Sequence, residues 1–242
     1  MHALVTGASR GLGLAMAQEL AGRGWTVVCV ARDAVRLDHA VAGIRSFGGS
    51  AEAVVADVTS EADVVGLFDR LTASASLPQL VVVNAGVFIR GTVTEAREDD
   101  WATVMDVNVN GAHRVAQAAV RSMRRLPVVD GTRGHVVFVN SGAGVQPYAA
   151  GASYTASKHA LLGLSGALRE EVAPEGIAVT DLVVRAAFSS EISDRAGDRL
   201  PASTIGDVLG RIIDVPGEAY IERIDIARLG VGGFERQARG GG

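Results

Sequence analysis

The sequence predicts an α/β protein in which short apolar strands alternate with amphipathic helices around an open sheet, and three observations carry that prediction. Residues 2–6 form an apolar run leading into Gly7-Ala8-Ser9-Arg10-Gly11-Leu12-Gly13, after which Leu12, Met16 and Leu20 recur every four residues. A strand, a glycine loop and a helix in that order form a phosphate-binding arrangement. Further apolar runs of strand length follow at 25–30, 51–56, 80–83, 135–140 and 177–184, and 220–226 is expected as a seventh strand. Hydrophobic residues make up 48% of the 242, enough for a substantial core and too many for a disordered chain.

The glycine loop reads Gly-x-x-x-Gly-x-Gly, which is neither the P-loop pattern nor the commoner Gly-x-Gly-x-x-Gly. Glycines let a backbone approach a pyrophosphate, and the free amides and positive dipole end of the helix receive it. The helix is expected to stop at 22–24, where Gly22 and Gly24 stand. The strand at 25–30 ends in Ala31-Arg32-Asp33. In dinucleotide folds this position faces the adenosine ribose, where an acid holds a 2′-hydroxyl and an arginine accepts a 2′-phosphate. Arg10 and Arg32 would bracket one phosphate, which predicts NADP(H) over NAD(H). Asp33 keeps NAD(H) open and equally suits a cap for the next helix. Leu37, Val41, Ile44 and Phe47 are expected on that helix's buried face, and Gly48-Gly49 ends it.

The strand at 51–56 leads into Asp57-Val58 and a helix bearing Val64, Leu67, Phe68 and Leu71. Asp57 stands at a strand's carboxyl end, where ligands of open α/β sheets gather; it either hydrogen-bonds adenine or simply leads the helix. The apolar run at 80–83 enters Asn84-Ala85-Gly86, small residues beside which a flat ring or ribose can pass. Asn84 either contacts the cofactor or ties neighbouring strands together. Glu98-Asp99-Asp100 opens a long helix and Arg121, Arg124 and Arg125 close it, charges that match the helix dipole. Inside it, Asp106-Val107-Asn108-Val109-Asn110-Gly111 would weaken an ordinary helix, and a breach there frees a backbone carbonyl to hold water.

The strand at 135–140 ends in Ser141-Gly142-Ala143-Gly144, and the helix after it carries Tyr154, Lys158, Leu161, Leu164, Leu168 and Val172. Residues four apart share a helix face, so Tyr154 and Lys158 point into the same space. A phenol is a poor acid or base at neutral pH. A cation beside it favours the phenolate and moves its pKa from about 10 toward the working range. Lys158 is the only lysine among 23 Lys+Arg, a compact charge where a planar fork would not substitute. For these two residues alone, an ordinary surface pair is the plainer alternative. Ala160, Gly163, Ser165, Gly166 and Ala167 on the same helix allow close packing against another helix, a second subunit's included.

Composition narrows the class. The net charge is −4 with the arginines dispersed among acids, which argues against nucleic acid as the main partner. The 30 glycines are spread over turns rather than set in a repeat. A single cysteine, Cys29, excludes an internal disulfide and a cysteine-based metal cluster, and suits a reduced cytoplasmic setting. No metal is expected. The first residues lead straight into a strand, so no signal peptide is expected. Long uncharged stretches such as 71–89, which holds Pro78, Gln79 and Asn84, are no membrane spans.

Taken together, these motifs resemble the short-chain dehydrogenase/reductase family along nearly the whole chain. The matching residues stand in family order: Thr6 to Gly13 with its glycines, Asp57-Val58, Asn84-Ala85-Gly86, Asn108, Ser141, then Tyr154 and Lys158. The resemblance implies a single doubly wound, Rossmann-type domain over 1–242, with a seven-stranded parallel sheet flanked by helices on both faces. It implies a nicotinamide cofactor, which Arg10 and Arg32 narrow to NADP(H), a small carbonyl or alcohol substrate, and a homodimer or homotetramer. The implied roles are Tyr154 as acid/base, Lys158 on the nicotinamide ribose and lowering the tyrosine pKa, Ser141 on the substrate oxygen, and Asn108 holding a relay water. Gly7, Ser9, Arg10, Gly11, Leu12, Gly13, Arg32, Asp57, Val58, Asn84, Ala85, Gly86 and Ser190 join Tyr154 and Lys158 as the implied cofactor contacts. Tyr148 is not the acid/base, because the position four residues on is Ala152.

The chain departs from the family after the sixth strand. Where the family has Pro-Gly and then Thr four residues past the Gly, this sequence reads Arg185-Ala186-Ala187-Phe188-Ser189-Ser190. Ser190 still offers a hydroxyl, but the rigid turn is replaced by a cation. Arg185 is expected either to contact an anionic substrate group or cofactor phosphate, or to face solvent. Residues 185–217 are the expected substrate loop, with Ile192, Leu200 and Ile205 as apolar and Arg195 and Arg199 as charged candidates, and 232–242 is an expected flexible tail. The expected activity is NADPH-dependent carbonyl reduction, reversible as alcohol dehydrogenation. The alternatives are a cofactor-binding regulatory protein with little turnover and an epimerase or dehydratase on the same fold.

Overall fold

The computed structural model describes residues 1–185, 200–215 and 219–228. Its strands are β1 (His2–Thr6), β2 (Thr26–Ala31), β3 (Ser50–Val55), β4 (Leu80–Val83), β5 (Gly134–Ser141), β6 (Ile177–Val184) and β7 (Arg223–Ile226). All pair in parallel, in the order β3-β2-β1-β4-β5-β6-β7. Parallel strands covered on both faces read as continuous apolar runs, as the fully buried β4 does; β6 is as buried but is interrupted by Thr180 and Asp181. The order reverses between β1 and β4. Their carboxyl ends, Thr6-Gly7 and Val83-Asn84, therefore splay around a crevice, the place where open α/β sheets bind ligands.

Helices cover both faces. On one side α1 (Gly11–Gly22), α2 (Ala34–Ser46) and α7 (Ser203–Ile213) bury Met16, Leu20, Leu37, Ile44, Ile205 and Leu209 against Val27, Cys29, Val82 and Leu182. On the other, α3 (Glu61–Ala73), α5 (Ala112–Met123) and α6 (Ala152–Val172) bury Phe68, Val115, Met123 and Leu161 against Val28, Val81, Phe138 and Val179. Two of the starts are fixed locally. Asp33 accepts from the Arg36 amide at 3.0 Å and Ser60 from the Asp63 amide at 3.2 Å, caps worth about 1 kcal/mol each.

The structure differs from the sequence reading at four places. Phe47 is 91% exposed, because it lies one residue past α2, where the chain turns toward Gly48 at φ +83°. The long helix expected from Glu98 is broken into α4 (Glu98–Met105), a π-helical turn (Asp106–Gly111) and α5, with the breach where the asparagines and glycine predict it. The last strand is shorter than expected, and 220–222 precede it as irregular chain. Within the expected substrate loop, residues 203–213 are helical, and Ile205 is fully buried in the core rather than lining a site. Ile192, Arg195, Arg199, Ser190 and the 232–242 tail lie outside the described residues.

Candidate active site

The crevice between β1 and β4 is held open by small residues and closed underneath by hydrogen bonds. Gly7 and Gly11 take φ of +68° and +58°, the left-handed region that strains other residues. Gly13 is required by space: a Cβ there would sit 2.3 Å from the Gly7 carbonyl oxygen and 2.6 Å from Asn84 Nδ2. Asn84 Nδ2 donates to the Thr6 carbonyl at 2.8 Å, while Thr6 Oγ1 accepts from the Asn84 and Ala85 amides at 2.9 and 3.0 Å. Asn84 thus ties β1 to β4, the structural one of its two expected roles. The start of α1 differs from those of α2 and α3. No described side chain caps it and its first turn has no acid, so its amides are left for an anion. A Cβ on Gly11 would meet nothing within 4 Å, so the loop is open on its outer side.

Toward β2, Arg10 and Arg32 are both exposed. Arg32 Nη1 stands 3.4 Å from Asp57 Oδ2, a long contact between partly exposed groups. Asp57 Oδ1 accepts from the Thr59 amide at 2.9 Å and the Thr59 hydroxyl at 2.8 Å. Burial works to raise the Asp57 pKa, but the Thr59 bonds and the Arg32 charge outweigh it and hold the carboxyl below its usual range. Asp33 serves as the α2 cap. Val58 is buried against the π-helical turn, where a Cβ on Gly111 would lie 2.7 Å from Val58 Cγ2.

On the other side, Ser141, Tyr154 and Lys158 converge on one cavity of about 270 Å³, which Leu12 and Asn84 reach from the glycine-loop side. Lys158 is 5% exposed; Nζ donates to the Val139 carbonyl at 3.0 Å and lies 5.7 Å from the Tyr154 ring centroid. Burial pushes its ammonium down to about 8. Burial also pushes the Tyr154 phenol up, and a hydrogen bond with Ser141 pulls it partly back. The lowering of the tyrosine pKa expected from Lys158 is not found here; burial sets the direction of the shift, because charge is costly away from water. Ser141 Oγ accepts from the Ala143 amide at 3.2 Å, and its hydroxyl is shared with the Tyr154 phenol at the cavity wall.

Asn108, 1% exposed, sits in the π-helical turn and has its amide fully engaged. Oδ1 accepts from the Val87 amide at 2.8 Å, and Nδ2 donates to the Val87 carbonyl at 2.9 Å and to Ser157 Oγ at 3.0 Å. Ser157 in turn donates to the Tyr154 carbonyl at 2.8 Å. The turn thereby clamps the segment after β4 to the first turns of α6. Phe88, in that segment, stands edge-on to Tyr154 with centroids 5.2 Å apart and is 53% exposed.

The sequence reading did not single out Phe88, the Val139 carbonyl or Asn140. Only Phe88 had a local signal, an aromatic two residues past Asn-Ala-Gly. Arg185 is exposed; its amide donates to the Ile226 carbonyl at 2.7 Å and its side chain makes no ion pair with a described residue. No group of three or more His, Cys, Asp or Glu is placed to hold a metal among the described residues. None of the described helices is long and apolar enough to cross a membrane.

Known proteins resemble this chain in sequence and fold. A family model described as short chain dehydrogenase matches residues 1–196. A 3beta-hydroxysteroid dehydrogenase of Mediterraneibacter gnavus is 34% identical over 203 residues, covering 81% of this chain and 71% of its own. A short chain dehydrogenase from Burkholderia cenocepacia, solved with NADP, superposes with a TM-score of 0.82 at 28% identity over 93% of this chain and 95% of its own. A variant of actinorhodin polyketide ketoreductase, solved with NADPH, gives a TM-score of 0.84 at 25% identity with the same coverage. With a family model matching residues 1–196 and a relative 34% identical over most of both chains, this chain, with its glycine loop, strand-order reversal and Ser141, Tyr154 and Lys158 cluster, belongs to the short-chain dehydrogenase/reductase family of oxidoreductases.

Proposed function

We propose that the protein is an NADPH-dependent carbonyl reductase, reversible as an alcohol dehydrogenase, acting on a small-molecule ketone or secondary alcohol. The observation that carries this reading is the convergence of Ser141, Tyr154 and Lys158 on one cavity that also reaches the glycine loop. The residues present fit a nicotinamide dinucleotide. Uncapped α1 amides and the open side of Gly11 suit its pyrophosphate, and Gly86 leaves room where a Cβ would come 3.3 Å from Asn108 Oδ1. Gly7, Ser9, Leu12 and Gly13 line the phosphate end, Asp57 and Val58 the adenine end, and Asn84, Ala85 and Gly86 the ribose side. Arg10 and Arg32 stand exposed for a 2′-phosphate, which favours NADP(H) over NAD(H); both solved relatives named above carry that cofactor.

When bound, the nicotinamide supplies or accepts the hydride. The chain's own part is proton transfer and charge placement. Ser141, which shares a hydrogen bond with Tyr154, turns its O–H to the substrate oxygen and steadies the charge that develops there. Tyr154 gives that oxygen its proton, and Lys158, at 5.7 Å from the ring, supplies positive field as the phenolate forms. Because the Asn108 side chain is committed to Val87 and Ser157, a relay water there is held by the main-chain carbonyl that the π-helical turn exposes. Lys158 and that water return the proton to Tyr154.

The test is purified protein with NADPH or NADH and a panel containing a β-keto ester, an aryl ketone and a 3-keto steroid, followed by loss of reduced-nicotinamide absorbance. NADPH oxidation well above NADH with at least one ketone is expected; NADPH binding without turnover on any member would favour a regulatory role. A single domain over 1–242, a reducing compartment for the buried Cys29, and a dimer or tetramer packed through the small, partly exposed face of α6 at Gly163, Gly166 and Ala167 complete the proposal. Light scattering on the purified protein reads the last of these directly.

A further inference from the structure

Asp181 is the one acid among the buried described residues, at 3% exposure in the middle of β6, where Thr180 is the only other polar residue. Two side chains from α6 hold its carboxylate. Ser165 Oγ lies 2.8 and 2.7 Å from Oδ1 and Oδ2, and Arg169 Nη2 donates to Oδ2 at 2.8 Å. Arg169 also donates to the Val179 and Glu222 carbonyls at 3.0 and 2.9 Å, so its guanidinium is fixed. α6 is the helix that carries Tyr154 and Lys158.

The same carboxylate faces β5. Phe138 is the register partner of Asp181 and Asn140 that of Val183, so Asn140 and Asp181 are diagonal neighbours on one face of the sheet. Asn140 is 2% exposed; its Oδ1 accepts from the Ser141 amide at 2.8 Å. Its Nδ2 has no partner at hydrogen-bond length. Burial pushes the Asp181 carboxyl up, and Ser165, Arg169 and Asn140 each pull it back. Rotating the Asn140 amide by half a turn would face its oxygen toward the carboxylate and its NH2 toward the Ser141 N–H, repulsive at both ends. The Asp181 charge therefore selects the amide orientation that holds Ser141.

We infer that Asp181 is a positioning residue for Ser141, acting through Asn140 and setting the end of β5 against the helix that bears Tyr154. The inference rests on the reading of Ser141 as the group at the substrate oxygen. Ser141 and Tyr154 come from different elements, and small misplacement between reacting groups is costly in rate. Asp181 bonds α6 directly and reaches Ser141 through one amide, so it links the two.

The experiment is a double-mutant cycle of Asp181→Asn and Ser141→Ala, read as kcat and KM with NADPH and the fastest ketone of the panel, with NADPH affinity from fluorescence titration. Asp181→Asn is expected to lower kcat about tenfold while NADPH affinity stays within twofold, and to have no further effect on kcat when Ser141 is already alanine. Equal losses in both backgrounds, or an unchanged kcat in the single variant, overturn the inference, because a purely structural role has no reason to vanish with Ser141. Wild-type turnover from Ser141→Ala alone is a different failure, since it removes the assignment of Ser141 itself. Should Asp181→Asn not fold, Asn140→Ala cuts the same link without touching the Arg169 pair: the same kcat loss supports the inference and wild-type kcat overturns it.

Discussion

The two walls of the crevice are built on opposite principles. Around Ser141, Tyr154 and Lys158 the supporting side chains are buried and hydrogen-bonded, Lys158 to Val139, Asn108 to Val87 and Ser157, and Asn140 to Ser141. Around the glycine loop the backbone is exposed, the helix start is uncapped, and Arg10 and Arg32 reach into solvent. Proton transfer gains from fixed, dry geometry, where a small displacement costs rate and low dielectric strengthens each interaction. Anion binding needs free donors, and charge at the surface also speeds encounter. The comparison teaches that substitutions on the dry wall should act on kcat or stability, and those on the open wall on cofactor affinity.

The sharpest way to break that division is Tyr154→Phe, expected to lower kcat by about a thousandfold with NADPH affinity within threefold. A large loss of affinity would mean that Tyr154 belongs to the binding wall as well. Next comes Lys158→Met, read in stability. Lys158 is held at about 8 against 10.5 when exposed, so between those values the unfolded chain carries the extra proton and stability rises with pH. The rise is roughly 3 kcal/mol. Denaturant titrations from pH 7 to 10.5 should show it in the wild type and lose it in Lys158→Met; parallel curves would mean that Lys158 is solvated in solution.

Smaller effects test the open wall. Arg32→Ala should weaken NADPH about tenfold, the loss of one charge-assisted contact, and leave NADH unchanged and kcat near normal, all from the same steady-state assay. An equal loss for both cofactors would place Arg32 away from the 2′-phosphate. Arg185→Ala should change either Michaelis constant by no more than about threefold, since an exposed charge without a partner is worth little. No change at all would make Arg185 a solvent-facing residue.

Much of this was legible in the sequence because it depends on local spacing. The seven expected strand segments became seven strands, and the glycines at 7, 11 and 13 fell where backbone geometry or space demands them. Asp106 to Gly111 predicted a breach, since two asparagines and a glycine inside a helix weaken it locally, and a π-helical turn stands there. Phe47 misled because periodicity does not say where a helix ends. Ile205 misled because a loop long enough to cover a site also has the length to fold a helix back onto α1, where Ala15 and Glu19 stand close to Gly206.

By itself the sequence determined the alternation of elements, the glycine loop and the pairing of Tyr154 with Lys158 on one turn, all properties of residues within a few positions of one another. Only the tertiary structure decided that Asn84 bridges two strands 78 residues apart, that burial rather than Lys158 dominates the Tyr154 pKa, and that Asp181 faces Asn140. Those outcomes depend on desolvation and on contacts between distant strands, quantities that exist only once the sheet has closed around them.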